Sequence, residues 1–307
     1  MSITLLISRI CALFIMMLAG AMLVRTGICK SEDSRVLSEV SVYLVIPCSM
    51  LASFQVEYSK DVLDGLVLAC FAAVVILLMV ILIMHVLGKK LNLNGVERAS
   101  VIYSNAGNLV IPLVSSLLGS EWVIYCSAYV SVMTILIWSH GKMIICGEKK
   151  PDLKKIFLSI NMVAIYIGII TFLLKIKYPS SLGTAIDSIG NMVGPMAMFV
   201  TGMLNANARI KEIISYPKIW LVVGLRLVFV PCLTLLFLKY SGIAAFAEHG
   251  TKILMITLIA TITPSASNVV QIAQVYGKDA TYAGAINVLT TLMCLITMPV
   301  MIYLYQM

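Results

Sequence analysis

Runs of apolar residues divide the chain into ten segments, each bounded by polar clusters. They fall at about 4–24, 36–54, 62–88, 98–118, 122–145, 156–174, 184–204, 217–239, 251–274 and 279–305. Each is close to the roughly 20 residues that an α-helix needs to span the hydrocarbon core of a bilayer. The pattern predicts an all-α membrane protein of ten transmembrane helices. The first run, Leu5 to Leu23, has only Arg9 ahead of its apolar body and is followed by many similar runs, so it reads as a span and not as a signal peptide. The longest polar interruption, "GEKKPDLKK" at 147–155, is a linker near the middle of the chain.

The prolines reveal an internal repeat across that linker. "VYLVIPCSML" carries Pro47 in the second run and "NMVGPMAMFV" carries Pro195 in the seventh; "GNLVIPLV" carries Pro112 in the fourth and "TITPSASNVV" carries Pro264 in the ninth. Within each pair the offset is about half the chain. The fourth and ninth runs both end on a glycine before an acidic helix start, "LGSEW" and "YGKDA". Residues 1–146 and 156–307 therefore form two five-helix repeats, and because five is odd they must be inverted relative to each other.

The fourth and ninth runs are expected to be broken helices. Pro112 lacks a backbone N–H and pushes away the Asn108 carbonyl four residues earlier; Pro264 does the same to Ala260. Gly107 adds backbone freedom beside the first break. Unpaired backbone groups in hydrocarbon cost several kcal/mol each, so such breaks survive only inside protein or beside a watery cavity. Side chains suited to a binding cavity cluster there: Ser104, Asn105 and Asn108 in one half, and Thr263, Ser265, Ser267, Asn268 and Gln271 in the other. Freed helix N-termini can receive an anion, and freed carbonyls can hold a cation. A lone proline kink with a few hydroxyls is ordinary helix packing; a matched pair in inverted halves points to a transport site. Pro47 and Pro195 lie in more apolar surroundings and read as kinks in a wall facing that site, with Asn191 as the nearby polar group.

Composition and charge support the membrane reading and narrow the chemistry. The chain is 61% hydrophobic and 12% charged, with a mean hydropathy of +1.02, against about 45–50% and 25% for soluble domains. The net charge of +8 sits in short loops and does not imply nucleic acid. Arg25, Lys30, Arg35, Lys89, Lys90, Arg98, the lysines between 142 and 155, Arg209, Lys211, Lys218 and Lys278 lie on one side of the alternating loops. The smaller set on the other side is Arg9, Lys60, Lys175, Lys177, Lys239 and Lys252. The excess places the first set in the cytoplasm and both chain ends outside, in a multi-pass protein of the cell membrane. Eight scattered cysteines form no CxxC, and His85, His140 and His249 are far apart, so no metal site and no cofactor are expected. Arg226 lies at depth in the eighth run. It is expected to snorkel or to pair with carbonyls near a helix end, the alternative being attraction for an anionic substrate. Glu97 and Asp187 read as helix-start charges.

"YLVIP" in the second run, "NAGNLVIPL" in the fourth and "TPSASNVVQIAQVYG" in the ninth together resemble the auxin efflux carrier family, which holds plant auxin carriers and bacterial malate or malonate permeases. The resemblance covers essentially the whole chain. It implies a fold akin to bile-acid symporters and sodium/proton antiporters, with helices 4 and 9 crossing at the membrane midplane. Helices 1, 2, 6 and 7 would form a scaffold that often dimerises, and helices 3–5 and 8–10 a mobile transport domain. Asn105 occupies the place of a substrate-contacting asparagine in plant members. The long central loop of the long plant carriers is missing here, which weakens any inference that auxin is the cargo.

The expected function is secondary transport of a small organic anion, auxin-like or a dicarboxylate such as malate or malonate, by elevator-type alternating access. No Asp or Glu lies at 103–112 or 261–272, which disfavours a proton relay and leaves neutral oxygens that suit sodium as a coupling ion. The alternatives are a sodium/proton antiporter or another ion-coupled symporter of the same fold, and a membrane receptor using the pocket only to bind. No nucleophile–base pair, metal-ligand set or phosphate-binding glycine loop supports an enzyme or an ATP-driven pump.

Overall fold

The computed structural model describes residues 3–55, 60–106, 109–110, 114, 118–119, 122–148, 154, 158–206 and 214–307. Among them the protein is helical, with no β-strand. The helices fall within the apolar runs: α1 (Ile3–Arg25), α2 (Ser34–Val40), α3 (Ile46–Ser53), α4 (Lys60–Lys90), α5 (Gly95–Ile102), α6 (Val123–Leu136), α7 (Lys142–Cys146), α8 (Ile160–Leu173), α9 (Ser180–Gly190), α10 (Val193–Leu204), α11 (Ile219–Gly224), α12 (Val230–Tyr240), α13 (Gly250–Thr261), α14 (Ser267–Val275) and α15 (Ala280–Gln306). Among the described residues, five continuous stretches are long and apolar enough to cross a membrane: Ser31–Ala52, Leu63–Lys90, Ile124–Cys146, Ile219–Tyr240 and Ala280–Gln306. Cys11–Arg25, Ile160–Leu173 and Gly250–Thr261 are shorter apolar helices.

Helix α4 shows how lipid sets these elements. Val67, Phe71, Val74, Leu78, Leu82 and Val86 are exposed along one stripe, while Leu68, Ala69, Ala72, Ala73, Ile76, Leu77, Val80 and Met84 are buried on the other. A helix that is apolar on both faces, with one face open, is stable only against hydrocarbon. Burial against other helices then depends on close backbone approach rather than on a hydrophobic drive. Helices α1 and α10 meet in this way: a Cβ on Gly20 would strike the Phe199 backbone, and a Cβ on Gly202 would strike the Met17 carbonyl.

Among the described residues three spans contain a π turn, and two of the turns have a legible cause. Ser41–Val45 lies just before Pro47, and Leu225–Phe229 just before Pro231. A proline cannot donate to the carbonyl four residues back and crowds it, and a widened turn relieves both. The third, Ile137–Gly141, has no proline and no comparable explanation.

The seventh run departs from the expected single helix. It divides into α9 and α10 at Asn191–Met192, where Pro195 cannot bond to the Asn191 carbonyl. Asp187 is correspondingly not a helix-start charge, because α9 begins at Ser180 and Asp187 lies inside it. Glu97 does sit at a helix start. Its carboxylate accepts from Asn94 N–H at 2.7 Å while its own N–H donates to Asn94 Oδ1 at 2.9 Å, a capping box that satisfies two end donors at once. Tyr282 on α15 donates its hydroxyl to the same carboxylate at 3.0 Å.

Candidate functional site

Helices α5 and α13 stop at Ile102 and Thr261, short of a full span. Beyond them the backbone is extended at Tyr103 and again at Ala266, and the two segments pair. Asn105 N–H donates to the Pro264 carbonyl at 2.9 Å, and Ala266 N–H donates to the Tyr103 carbonyl at 3.0 Å. Ser104 and Ser265 face each other as an isolated antiparallel pair. Each break thus supplies the other with the hydrogen bonds that lipid cannot give.

The second break opens where Pro264 places it, and the Thr263 hydroxyl donates to the displaced Ala260 carbonyl at 3.0 Å. The first break opens earlier than Pro112 alone would put it, at 103–105. Partnership with 264–266 locates it there. Gly107, Asn108 and Pro112 lie outside the described residues.

Pairing leaves the C-terminal carbonyls of α5 and α13 without helical donors. Arg226, on the π turn between α11 and α12, takes them. Its Nε donates to the Thr263 carbonyl at 3.1 Å, and Nη1 donates to Val101 and Ile102 at 3.0 and 3.4 Å. Nη2 donates to Thr263 at 2.8 Å and to Thr261. All five guanidinium N–H groups are spent on backbone oxygens. Arg226 is 0% exposed, so it does not snorkel; the expectation of carbonyl pairing holds, but the carbonyls belong to both breaks. Among the described residues the one ion pair is Arg35 with Glu39 at the surface, and no carboxylate neutralises Arg226. Two helix C-termini do so instead, each carrying roughly −0.5 of a charge.

The other candidate side chains divide by what they touch. Ser104, Asn105, Thr263, Ser265 and Ser267 are all buried. Ser267 donates its hydroxyl to Asn105 Oδ1 at 3.3 Å, joining the breaks through side chains. Ser104 turns to α6, towards the Tyr129 hydroxyl at 3.4 Å and Met133 Sδ at 3.3 Å. The Ser265 hydroxyl has no partner among the described residues. Asn268 is half-buried in the first turn of α14. Gln271 points elsewhere: its amide donates to Ser41 Oγ at 2.8 Å, on the π turn before α3. Pro47 lies in α3 and Pro195 in α10, while Asn191, in the turn between α9 and α10, is exposed and forms no hydrogen bond to the paired breaks among the described residues.

Two residues of α15 complete the surroundings and were not anticipated. Asn287 donates its amide to the Ser265 carbonyl at 2.7 Å, and Thr290 Oγ1 accepts from Ser265 N–H at 3.1 Å. Their signal was in "AGAINVLTT", where Asn287, Thr290 and Thr291 recur at helical spacing on one face of an apolar span.

A sequence model described as membrane transport protein matches residues 5–157 and 149–302, two segments that meet at the linker. The chain belongs to this membrane transport protein family. The auxin efflux carrier resemblance is thereby borne out. No individual curated protein shows a significant sequence match. Members of the membrane transport protein family are transporters and not enzymes, so the protein is a multi-pass membrane transporter. The paired breaks bring buried amides and hydroxyls together inside this transporter.

Proposed function

We propose that this transporter moves a small organic anion, auxin-like or a dicarboxylate such as malate or malonate, by elevator-type alternating access, with the cargo held at the paired breaks. The carrying observation is the charge balance around Arg226. Where two helices break and cross, two negative C-termini and two positive N-termini come together. Arg226 occupies the negative ends. The N-terminus of α14, with Ser267 and Asn268 in its first turn, retains its partial positive charge and has no side-chain cap, and no acidic residue lies at 103–106 or 261–272. Such an end receives carboxylates.

In this reading the ten spans form two inverted five-helix repeats, 1–146 and 156–307, that cross at the membrane midplane with both termini outside. Spans 1, 2, 6 and 7 are the scaffold and the dimer surface; spans 3–5 and 8–10 move. The contrast between contacts supports the division. Scaffold helices approach backbone to backbone, as at Gly20 with Phe199 and at Gly190 with Ser49. The α14 helix meets α2 and its π turn through polar side chains, Gln271 with Ser41 and Gln274 with Ser34. Such contacts exchange with water more readily than a close-packed seam.

Uptake of labelled malonate and of an indole carboxylate into proteoliposomes tests the site. Asn105→Ala and Asn268→Ala are each expected to lower uptake at least about ten-fold, the value of one hydrogen bond to a charged ligand, with unchanged melting in detergent. Normal uptake by both variants would sink the assignment. A sodium/proton antiporter of the same fold is less well supported, because the carbonyls that could bind a cation are taken by Arg226. A coupling sodium would have to use side-chain oxygens such as Asn105 Oδ1. Replacing external sodium with choline separates the cases: a fall in uptake establishes sodium linkage, and unchanged uptake establishes movement without it.

A further inference from the structure

A cavity of about 230 Å³ has none of the residues of the paired breaks in its lining. Tyr43 from the second run, Trp138 and Lys142 from the fifth, Ser159 and Asn161 from the start of the sixth, and Tyr276 from the end of the ninth line it. We propose that this cavity is a second binding site, for a small aromatic monocarboxylate.

Three features converge on that ligand class. First, Lys142 is the charged group of the lining, and its ammonium stands 4.7 Å from the centre of the Tyr276 ring. A lysine on an aromatic face keeps its charge available to an incoming carboxylate. Second, the cavity is bordered by the N-terminus of α8, a helix of 14 residues capped by the Ser159 hydroxyl, which accepts from Met162 N–H at 3.4 Å. That end carries partial positive charge and N–H groups without helical acceptors. Third, two lining side chains hold buried polar atoms with no partner among the described residues: the Trp138 indole N–H and Asn161 Oδ1. Trp138 is 4% exposed and Asn161 2%. A buried polar atom without a partner costs about 1–3 kcal/mol; a carboxylate relieves that cost at the Trp138 indole N–H, whereas Asn161 Oδ1 is an acceptor and takes nothing from it. The indole N–H offers a carboxylate a donor, and the rings of Tyr43, Trp138 and Tyr276 offer a flat apolar body its contact surface.

The site also has a physical connection to the breaks. Trp138 belongs to the π turn Ile137–Gly141. The Tyr103 hydroxyl donates to the Leu136 carbonyl at 3.0 Å and lies 2.9 Å from His140 Nδ1, and Tyr103 begins the extended segment that pairs with Ala266. The proposal does not depend on the paired breaks being the transport site.

Isothermal titration of the purified full chain in detergent with benzoate tests it, with benzylamine and malonate as comparison ligands. Benzoate is expected to bind better than malonate, and benzylamine not to bind. Lys142→Gln should weaken benzoate at least about ten-fold, and Lys142→Arg should restore most of the loss. Trp138→Phe should weaken it by a smaller factor, while Asn105→Ala should leave it unchanged. Benzoate binding that survives Lys142→Gln, that is lost in Asn105→Ala, or that is absent from the unmodified protein overturns the proposal. Comparable melting of each variant in detergent shows that it is folded.

Discussion

Replacing Arg226 with methionine is expected to abolish transport and to lower the stability of the protein by about 3–5 kcal/mol, the usual cost of removing one partner from a buried charged network. Methionine approximates the length and volume of the arginine stem, so packing changes little and polar loss dominates. The carbonyls of Val101, Ile102, Thr261 and Thr263 would all lose donors at a position that water reaches poorly. Two helix C-termini would also face each other with no positive charge between them. Arg226→Lys should be intermediate. It keeps the charge but concentrates three donors at one point, and so can serve one break well and not both. Melting in detergent and uptake by proteoliposomes are the measurements. A methionine variant with wild-type melting and uptake would show that the paired breaks hold together without the guanidinium.

Charge alone does not describe what Arg226 contributes. Ordinarily a buried arginine without a carboxylate partner is costly, because desolvation exceeds what neutral acceptors return. Here the acceptors are the unspent ends of two helices, themselves costly to bury without donors. Each liability cancels the other. An arginine 226 residues along the chain thus permits breaks near 103 and 264 that neither local sequence could sustain by itself.

The sequence pattern carried the all-helical membrane class and the place of the second break, and the reasons are physical. Lipid requires every backbone group to be satisfied within a helix, so apolar length alone marks such elements. Pro264 acts on its own turn, and α13 ends beside it. The first break was less legible because its position depends on hydrogen bonds to Pro264 and Ala266, distant in sequence. From sequence Arg226 reads as a residue near a helix end, although Pro231 five positions later carries a signal: a proline that widens the preceding turn aims a different side chain inwards. Pro195 reads from sequence as a kink, yet it separates α9 from α10 outright. Helical spacing groups Gln271 with the site, because it follows Asn268 by three residues. Only the rotation of the nine-residue α14 decides that it faces Ser41 instead.

Joining Ser34 to Gln274 through introduced cysteines is expected to stop transport completely and reversibly. In the structure the Gln274 amide donates to Ser34 Oγ at 3.2 Å, bringing the end of α14 against the start of α2. An elevator mechanism requires α14 to slide past α2, so this contact must break in every cycle, whereas contacts within the scaffold persist. The experiment uses Ser34→Cys with Gln274→Cys in a background whose eight native cysteines are replaced, closed by a short bifunctional thiosulfonate and reopened by reduction. Ser31→Cys with Met203→Cys provides the control, since the Ser31 hydroxyl donates to the Met203 carbonyl at 3.0 Å within the proposed scaffold. Crosslinked control protein should transport normally. Uptake that continues after complete closure of the 34–274 link would mean that α14 and α2 travel together, and the division into scaffold and moving domain would have to be redrawn.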